Sequence, residues 1–211
     1  PAQGSAEFDG SSDYIQLDNA FSHTNHTIAA WVYVGANGSA IFDNRDADDD
    51  GIRLLIGSSS VLYYQLNAND RTHTLSLNDW YFVTASYDGT TQKLYVDGSL
   101  VSSGATSQTI SVSTYDARIG RSTYETSYYD GNLANVAIWN RALSSDEINS
   151  VMWKGYQSLT DNEKSGLQAW YSLDDVASPA ASLATMEALA VDKDATIENK
   201  AAVTAAINAL S

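Results

Sequence analysis

Short runs of alternating apolar and polar residues, cut about every ten residues by Gly, Asn, Asp and Ser, dominate residues 6–140. The segments "DYIQL" (13–17), "TIAAWVYV" (27–34), "GIRLLIG" (51–57), "SVLYYQL" (60–66) and "DWYFVTASYD" (79–88) carry this texture. So do "QKLYVDG" (92–98), "SLVSSG" (99–104), "ARIG" (117–120) and "GNLANVAIWN" (131–140). A period of two lets a strand bury one face, and β-branched and aromatic residues suit a pleated surface. Many short strands at this spacing predict an all-β sandwich or jelly roll of two antiparallel sheets. Asp97-Gly98 and Asp88-Gly89 supply the backbone conformations that tight hairpins require.

The texture changes after residue 140. Ser144 and Glu147, and again Thr160 and Glu163, have the spacing of a capping box, so a short helix should begin at each. "GLQAWYSLDD" (166–175) is an alternating strand far from the others, with Leu167, Ala169, Tyr171 and Leu173 on one face and Gln168, Trp170 and Ser172 on the other. From Ser178-Pro179 the chain is Ala-rich and reads as two short helices, one with Leu183, Met186 and Leu189 on a face, the next with Val203, Ile207 and Leu210. The organisation is then a jelly roll over 1–152, a linker plus strand over 153–175, and a helical tail over 176–211. The strand either completes the sandwich or begins a second repeat. The linker can reach roughly 40 Å at about 3.3 Å per residue, so a return to its own sheet is feasible.

Charge narrows the partners. With 11 Lys and Arg against 26 Asp and Glu, the net charge is −15, unsuited to nucleic acid or anionic membrane, where neutralising phosphate dominates. No apolar run approaches the roughly 18–20 residues that cross a bilayer, so membrane insertion is not expected. Cys is absent, which removes disulfides, thiolate metal sites and a Cys nucleophile and suits a bacterial or phage product. The chain begins Pro-Ala-Gln with no basic and apolar leader, as in a processed product or a piece of something longer.

"FDGSSDYIQL", "TIAAWVYV", "DWYFVTASYDGTTQKLYVDGSLV" and "ARIGRSTYETSYYDGNLANVAIWNRALSSDEI" follow one another in order. Together, over residues 5–152, they resemble the laminin-G-like (LamG, pentraxin-like) branch of the concanavalin A-like lectin/glucanase superfamily. Trp80, Tyr95-Val96-Asp97-Gly98 and Asn140-Arg141-Ala142-Leu143 carry the resemblance. It implies a jelly roll, calcium near the rim, and glycan or protein ligands at loops. Two departures stand beside it. A strand of the type "GLVAYWPLDE" usually precedes the "FDG" segment, whereas here "GLQAWYSLDD" comes last. Ala134 and Asn135 occupy the place of an acidic pair common in the family.

The superfamily includes glucanases, which need two carboxylates roughly 5–5.5 Å or 6.5–9.5 Å apart. Glu7-Phe8-Asp9 begins the Glu-x-Asp-x-x-Glu pattern, but position 12 is Ser, so no catalytic pair and no enzyme is expected. His23 and His26, three apart in a loop, read as a solvated turn or a metal pair. In "DNRDADDDGIRLL", Asp46, Asp48 and Asp50 before Gly51 form half of an oxygen-ligand calcium loop, although Gly57 stands where an EF-hand would place its Glu. The same stretch also reads as a solvated acidic turn. Tyr124, Tyr128, Tyr129 and Asp130 lie in the polar loop "RSTYETSYYDGN", where rings can stack on sugars and a carboxylate can take hydroxyls. "NHT" at Asn25 and "NGS" at Asn37 are glycosylation sequons only in a secretory setting. These features predict a non-catalytic binding or adhesion module for carbohydrate or a surface ligand, supported by calcium. It would sit outside the cell, on its surface or on a virion. The alternative is a structural or decoration protein of a phage virion or surface assembly, whose partners would be neighbouring subunits.

Overall fold

The computed structural model describes residues 4–17, 24–36, 38–45, 50–67, 69–106, 116–123 and 125–173. Two antiparallel sheets pack face to face. The first runs β1 (Ala6–Asp9), β12 (Asp130–Trp139), β3 (His26–Val34), β8 (Trp80–Tyr87), β9 (Thr91–Val96) and β10 (Ser99–Ala105). The second runs β2 (Ile15–Gln16), β11 (Arg118–Ile119), β4 (Ser39–Asp43), β5 (Ile52–Ile56), β6 (Val61–Leu66) and β7 (Asn69–Thr74). Both predicted hairpin turns form; Asp97 and Gly98 take φ of 49° and 75° between β9 and β10. Between the sheets lie Phe8, Ile28, Val32, Leu54, Tyr64 and Ile138, all at or near complete burial.

Three strands escape the sequence pattern. β1 and β4 are only four and five residues long. β7, "NDRTHT", has no apolar residue at all: it pairs along β6 at the sheet edge and turns Arg71 and His73 to the side where β6 places Leu62 and Tyr64. His26, expected in a solvated loop, opens β3 and is fully buried, its Nε2 2.7 Å from the Tyr64 hydroxyl. His23 lies outside the described residues.

The late strand, β13 (Leu167–Tyr171), pairs antiparallel with β12 of its own chain. β1 occupies the first half of that edge of β12, at 130–133, and β13 the second, at 136–139. A bulge between Ile138 and Trp139 makes Gln168 the extra residue, so Leu167 joins Trp170 on the outer face instead of Ala169, Tyr171 and Leu173 on the inner one.

That outer face explains why β3 reads as an unbroken apolar run: it is covered on both sides. The helices α1 (Ser145–Val151) and α2 (Asp161–Lys164) both begin at the predicted capping boxes. Ile148, Val151, Met152 and Leu159 close over Trp31, Trp139 and Trp170. Trp31 Nε1 donates to the Met152 carbonyl at 2.9 Å, and Trp139 Nε1 to the Glu163 carbonyl at 2.7 Å. Arg141 ties this layer together, pairing with both Glu147 oxygens and donating to the Asn162 and Ser165 carbonyls. The apolar faces expected after residue 178 lie outside the described residues.

Two carboxylates of this layer titrate low. Hydrogen bonds from Arg141 hold Glu147 at about 2, against burial that pushes it up. Burial also pushes Glu163 up, but bonds from Lys154, Ser150 and Thr160 outweigh it and hold that group at about 2. Both folded values lie below the ordinary 4.5, so the stability they contribute is present above about pH 4.5 and is lost as pH falls toward 2. Glu163→Gln should therefore cost on the order of 2–3 kcal/mol at neutral pH and converge on the parent near the folded value. Denaturant unfolding across that range checks this; a constant gap between the two proteins would contradict it.

Candidate functional site

The outer face of the second sheet carries one continuous polar row. Register sets Gln16 opposite Arg118, Arg118 opposite Asp43, Asp43 opposite Arg53, Arg53 opposite Gln65, and Gln65 opposite Asp70. The row thus crosses all six strands, while the alternate residues Ile15, Ile119, Leu54 and Leu66 enter the core. Period two produces this division, and the edge-to-edge register aligns it.

Asp43 is the hub and is 0% exposed. Arg45 N and Ser122 Oγ each donate to it at 2.8 Å, Thr123 donates through both Oγ1 and N at 3.2 and 3.3 Å, and Arg53 Nε lies 3.3 Å away. Arg53 extends to Glu125 at 2.9 Å. The loop following β11 is therefore drawn down onto the sheet. Its ends close through the Arg121–Tyr128 bridge, Ser122 N to the Ser127 carbonyl, and Tyr129 N to the Gly120 carbonyl. Gly120 starts it with φ of 83°, and a Cβ there would collide with the Phe8 ring.

At the edge-strand end of this face, Tyr14 and Tyr128 meet edge to face with centroids 6.4 Å apart. The Arg121 guanidinium carbon lies 5.0 Å from the Tyr14 centroid and 4.8 Å from that of Tyr128; the Arg118 carbon lies 5.6 Å from Tyr14. Tyr14 keeps 37% of its surface exposed.

The predicted ligand residues separate. Tyr128 belongs to this cluster. Tyr129, turned into the core between the sheets, is a correction: it is 1% exposed, packs edge-on against Phe8, and donates its hydroxyl to the Tyr33 carbonyl. Burial pushes that hydroxyl's pKa far up, and the ring presents no face to a ligand. Asp130 is exposed, opposite Asp9, with its Cβ beside Gly10. Tyr124, Asp46 and Asp48 lie outside the described residues; Asp50 is half-buried at the edge of the acidic segment. Where the family's acidic pair would stand, Ala134 is buried and Asn135 takes a positive φ of 48° in a β12 bulge, so this position offers no carboxylate cage. Sequence reasoning passed over Tyr14, Arg53, Arg118 and Arg121. Only strand register, which pairs residues more than sixty positions apart, brings them onto one face.

In the acidic start "EFD", Asp9 is taken up by the turn that follows it. Asp9 accepts from the Ser12 amide at 2.8 Å and from the Ser11 hydroxyl and amide at 2.7 and 2.8 Å. The Ser12 amide and these Ser11 donors hold it well below the usual carboxylate range. It stays ionised as a turn acceptor, the opposite of what a proton-donating acid needs.

A jelly-roll sandwich with a polar outer sheet face defines the class, and the match to a family model over residues 9–149 assigns it: the chain belongs to the Laminin_G_3 family of the concanavalin A-like lectin/glucanases superfamily. No curated protein matches the sequence. Among solved structures it is similar to an inferred carbohydrate-binding protein from Bacteroides ovatus, with 19% identity and a TM-score of 0.65 over 83% of this chain and 53% of that one. This chain therefore spans about half of that relative. It is also similar to a heptameric SAP-like pentraxin from Limulus polyphemus, with 17% identity, TM-score 0.53, and 72% and 82% coverage. A third likeness is to the CBM40 of the Ruminococcus gnavus IT-sialidase bound to α2,3-sialyllactose, with 14% identity, TM-score 0.53, and 72% and 99% coverage. β13, at 167–171, lies beyond the family match yet completes the first sheet.

Removing the Asp43 carboxylate would take away the buried acceptor shared by the Arg45 amide, Ser122 and Thr123 and the closer charge facing Arg53 Nε. Asp43→Ala should cost about 3–5 kcal/mol, the range for breaking one partner out of a buried pair. Urea unfolding measures it, and a loss within about 1 kcal/mol, typical of a surface pair, would contradict the hub assignment.

Proposed function

We propose that this chain is a non-catalytic, extracellular or surface-exposed binding module whose ligand is carbohydrate. The observation that carries the reading is the polar row across the second sheet, bordered by the half-buried Tyr128 and the exposed Tyr14. Asp43 and Arg53 are buried and act as the mount; the hydroxyls of a sugar match the accessible amide and guanidinium groups of Gln16 and Arg118, and the apolar side of a pyranose matches a tyrosine ring. The carbohydrate-related neighbours from Bacteroides ovatus and Ruminococcus gnavus, alike in fold, support the same reading. On sequence grounds Tyr124 and Asp130 are further candidates for contact with the glycan. Asp46, Asp48 and Asp50 would hold calcium, whose charge removes the mutual repulsion of neighbouring carboxylates.

A glycan array probed with and without calcium tests both parts. Enrichment of a glycan class, lost when Tyr128 is replaced by Ala, is the expected result; an empty array in both conditions would overturn the module reading. Calcium at a hundredfold above its dissociation constant should stabilise the fold by about 2.7 kcal/mol over EDTA. Equal melting midpoints would reduce the acidic segment to a turn.

A second reading, a structural or decoration protein of a virion or surface assembly, is favoured by Trp153. This side chain is 68% exposed on the outer face of the first sheet, its ring 5.5 Å from Trp31. Light scattering separates the two: a monomer at all concentrations supports the module, and oligomers that Trp153→Ser dissolves support the assembly.

A further inference from the structure

Arg118 and Arg121 set two cations side by side on the outer face of the second sheet in a chain of net charge −15. Arg45 and Arg53 share Asp43, and Arg53 reaches Glu125 as well. Lys93, Arg141 and Lys154 each hold a carboxylate. Among the described residues four cations hold none: Arg71, turned inward at the far edge strand, Lys164, which lies on the Tyr156 ring, and the neighbours Arg118 and Arg121. Arg118 donates to the Ser122 and Thr123 carbonyls at 3.3 and 3.1 Å, and Arg121 lies against the Tyr14 and Tyr128 rings. The Nε atoms of both are buried and unpartnered.

We propose that Arg118 and Arg121, braced by Tyr14 and Tyr128, form the seat for a carboxylate carried on a sugar ring, so that the glycan bound here is acidic. The inference rests on the carbohydrate-binding reading and narrows its ligand class.

Three physical points lead there. First, aromatic rings beside a guanidinium exclude water from it and leave its N–H edge as the place for a partner. A half-buried cation without a counter-ion is costly, and a bound anion removes that cost. Second, a guanidinium is a planar fork whose paired donors match a carboxylate, and fixing its plane between two rings lowers the ordering cost of binding. The mount is rigid: Arg118 sits in register between Gln16 and Asp43, and Arg121 pairs with Tyr128 at the base of a loop that Asp43 pins. Third, the field of an acidic protein repels acidic sugars in general, so two adjacent arginines, with Asp116 engaged by Gln16 at 3.0 Å, give an acid a local place to bind and orient. Tyr14, partly exposed beside the edge strand, gives the sugar's apolar side a surface to lie on.

Carboxylated sugars come as sialates or uronates, and calorimetry on the full chain can address both. The probes are α2,3-sialyllactose against lactose, and trigalacturonate against its methyl ester. The acid of at least one pair should bind about tenfold or more tightly than its neutral partner, as a charge-assisted forked contact allows. A preference in one pair alone identifies the source. The preference should vanish in Arg121→Gln and return only in part in Arg121→Lys, which restores charge without the fork, with melting midpoints confirming that each variant folds. Arg118→Gln should weaken the acid by a larger factor than the neutral sugar, so that the acid-to-neutral ratio falls. Equal binding of acid and neutral sugar, unaffected by Arg121→Gln, would overturn this inference and leave the carbohydrate-binding reading standing. Acid preference that survives both glutamine variants would overturn the assignment to these residues. Failure of all four probes, with an empty glycan array, would overturn both.

Discussion

A carboxylate without exposed surface must be surrounded by donors, and Asp43 obtains them from three separate stretches of chain. Arg45 follows it, Arg53 lies on the next strand, and Ser122 and Thr123 arrive from a loop some eighty residues later. Leaving the charge uncompensated would cost several kcal/mol, so the loop has little freedom to lift away. Its grip holds Ser122 and Thr123 on the second sheet, and the bridge next to them sets where Arg121 and Tyr128 stand. The exposed end of the network, Glu125, neutralises Arg53 and leaves the two arginines nearer the edge strand as the unmatched positive charge of that face.

The opposite sheet meets its own constraint differently. β12 has one edge free after β1 ends, and an unpaired central edge exposes backbone donors and acceptors. β13 fills it, and the helical layer between them buries tryptophans on the far side. The segment "NRALSSDE" directs this turn: Thr27 Oγ1 donates to the Arg141 carbonyl at 2.8 Å and accepts from the Leu143 amide at 2.9 Å, and Ser144 caps α1. One sheet is thereby covered on both faces by the chain itself. The other keeps a polar face outward, which is the asymmetry a binding domain needs.

Local chemistry was the legible part of the sequence. Hairpin turns at Asp97-Gly98, capping boxes at Ser144 and Thr160, and alternation in the longer strands each depend on a few neighbouring residues, and each took the expected form. Alternation failed where its physical cause was absent. β7 borders the sheet with Arg71 and His73 facing inward and needs no apolar side chain, and one bulge moved Leu167 to the wrong face for a strict period of two. The site was less legible than the fold. A polar loop suggested that Tyr128 and Tyr129 were equivalent, yet adjacent residues entering a strand point to opposite sides, and Tyr129 fell to the core. The run of aspartates around residue 48 drew attention as a cluster, whereas Asp43, a single residue just before it, organises the surface through long-range register that no local pattern encodes.

The central claim is that ligand recognition occurs on the outer face of the second sheet, at its edge-strand end. Chemical-shift mapping of backbone amides and arginine Nε–H groups, during titration with an acidic oligosaccharide that binds the chain, tests it most directly. The account predicts that the largest changes fall on Tyr14, Arg118, Arg121 and Tyr128, with smaller ones along Gln16 and Arg53. Changes centred on Trp153 and the outer face of the first sheet, with Arg121 unmoved, would contradict it.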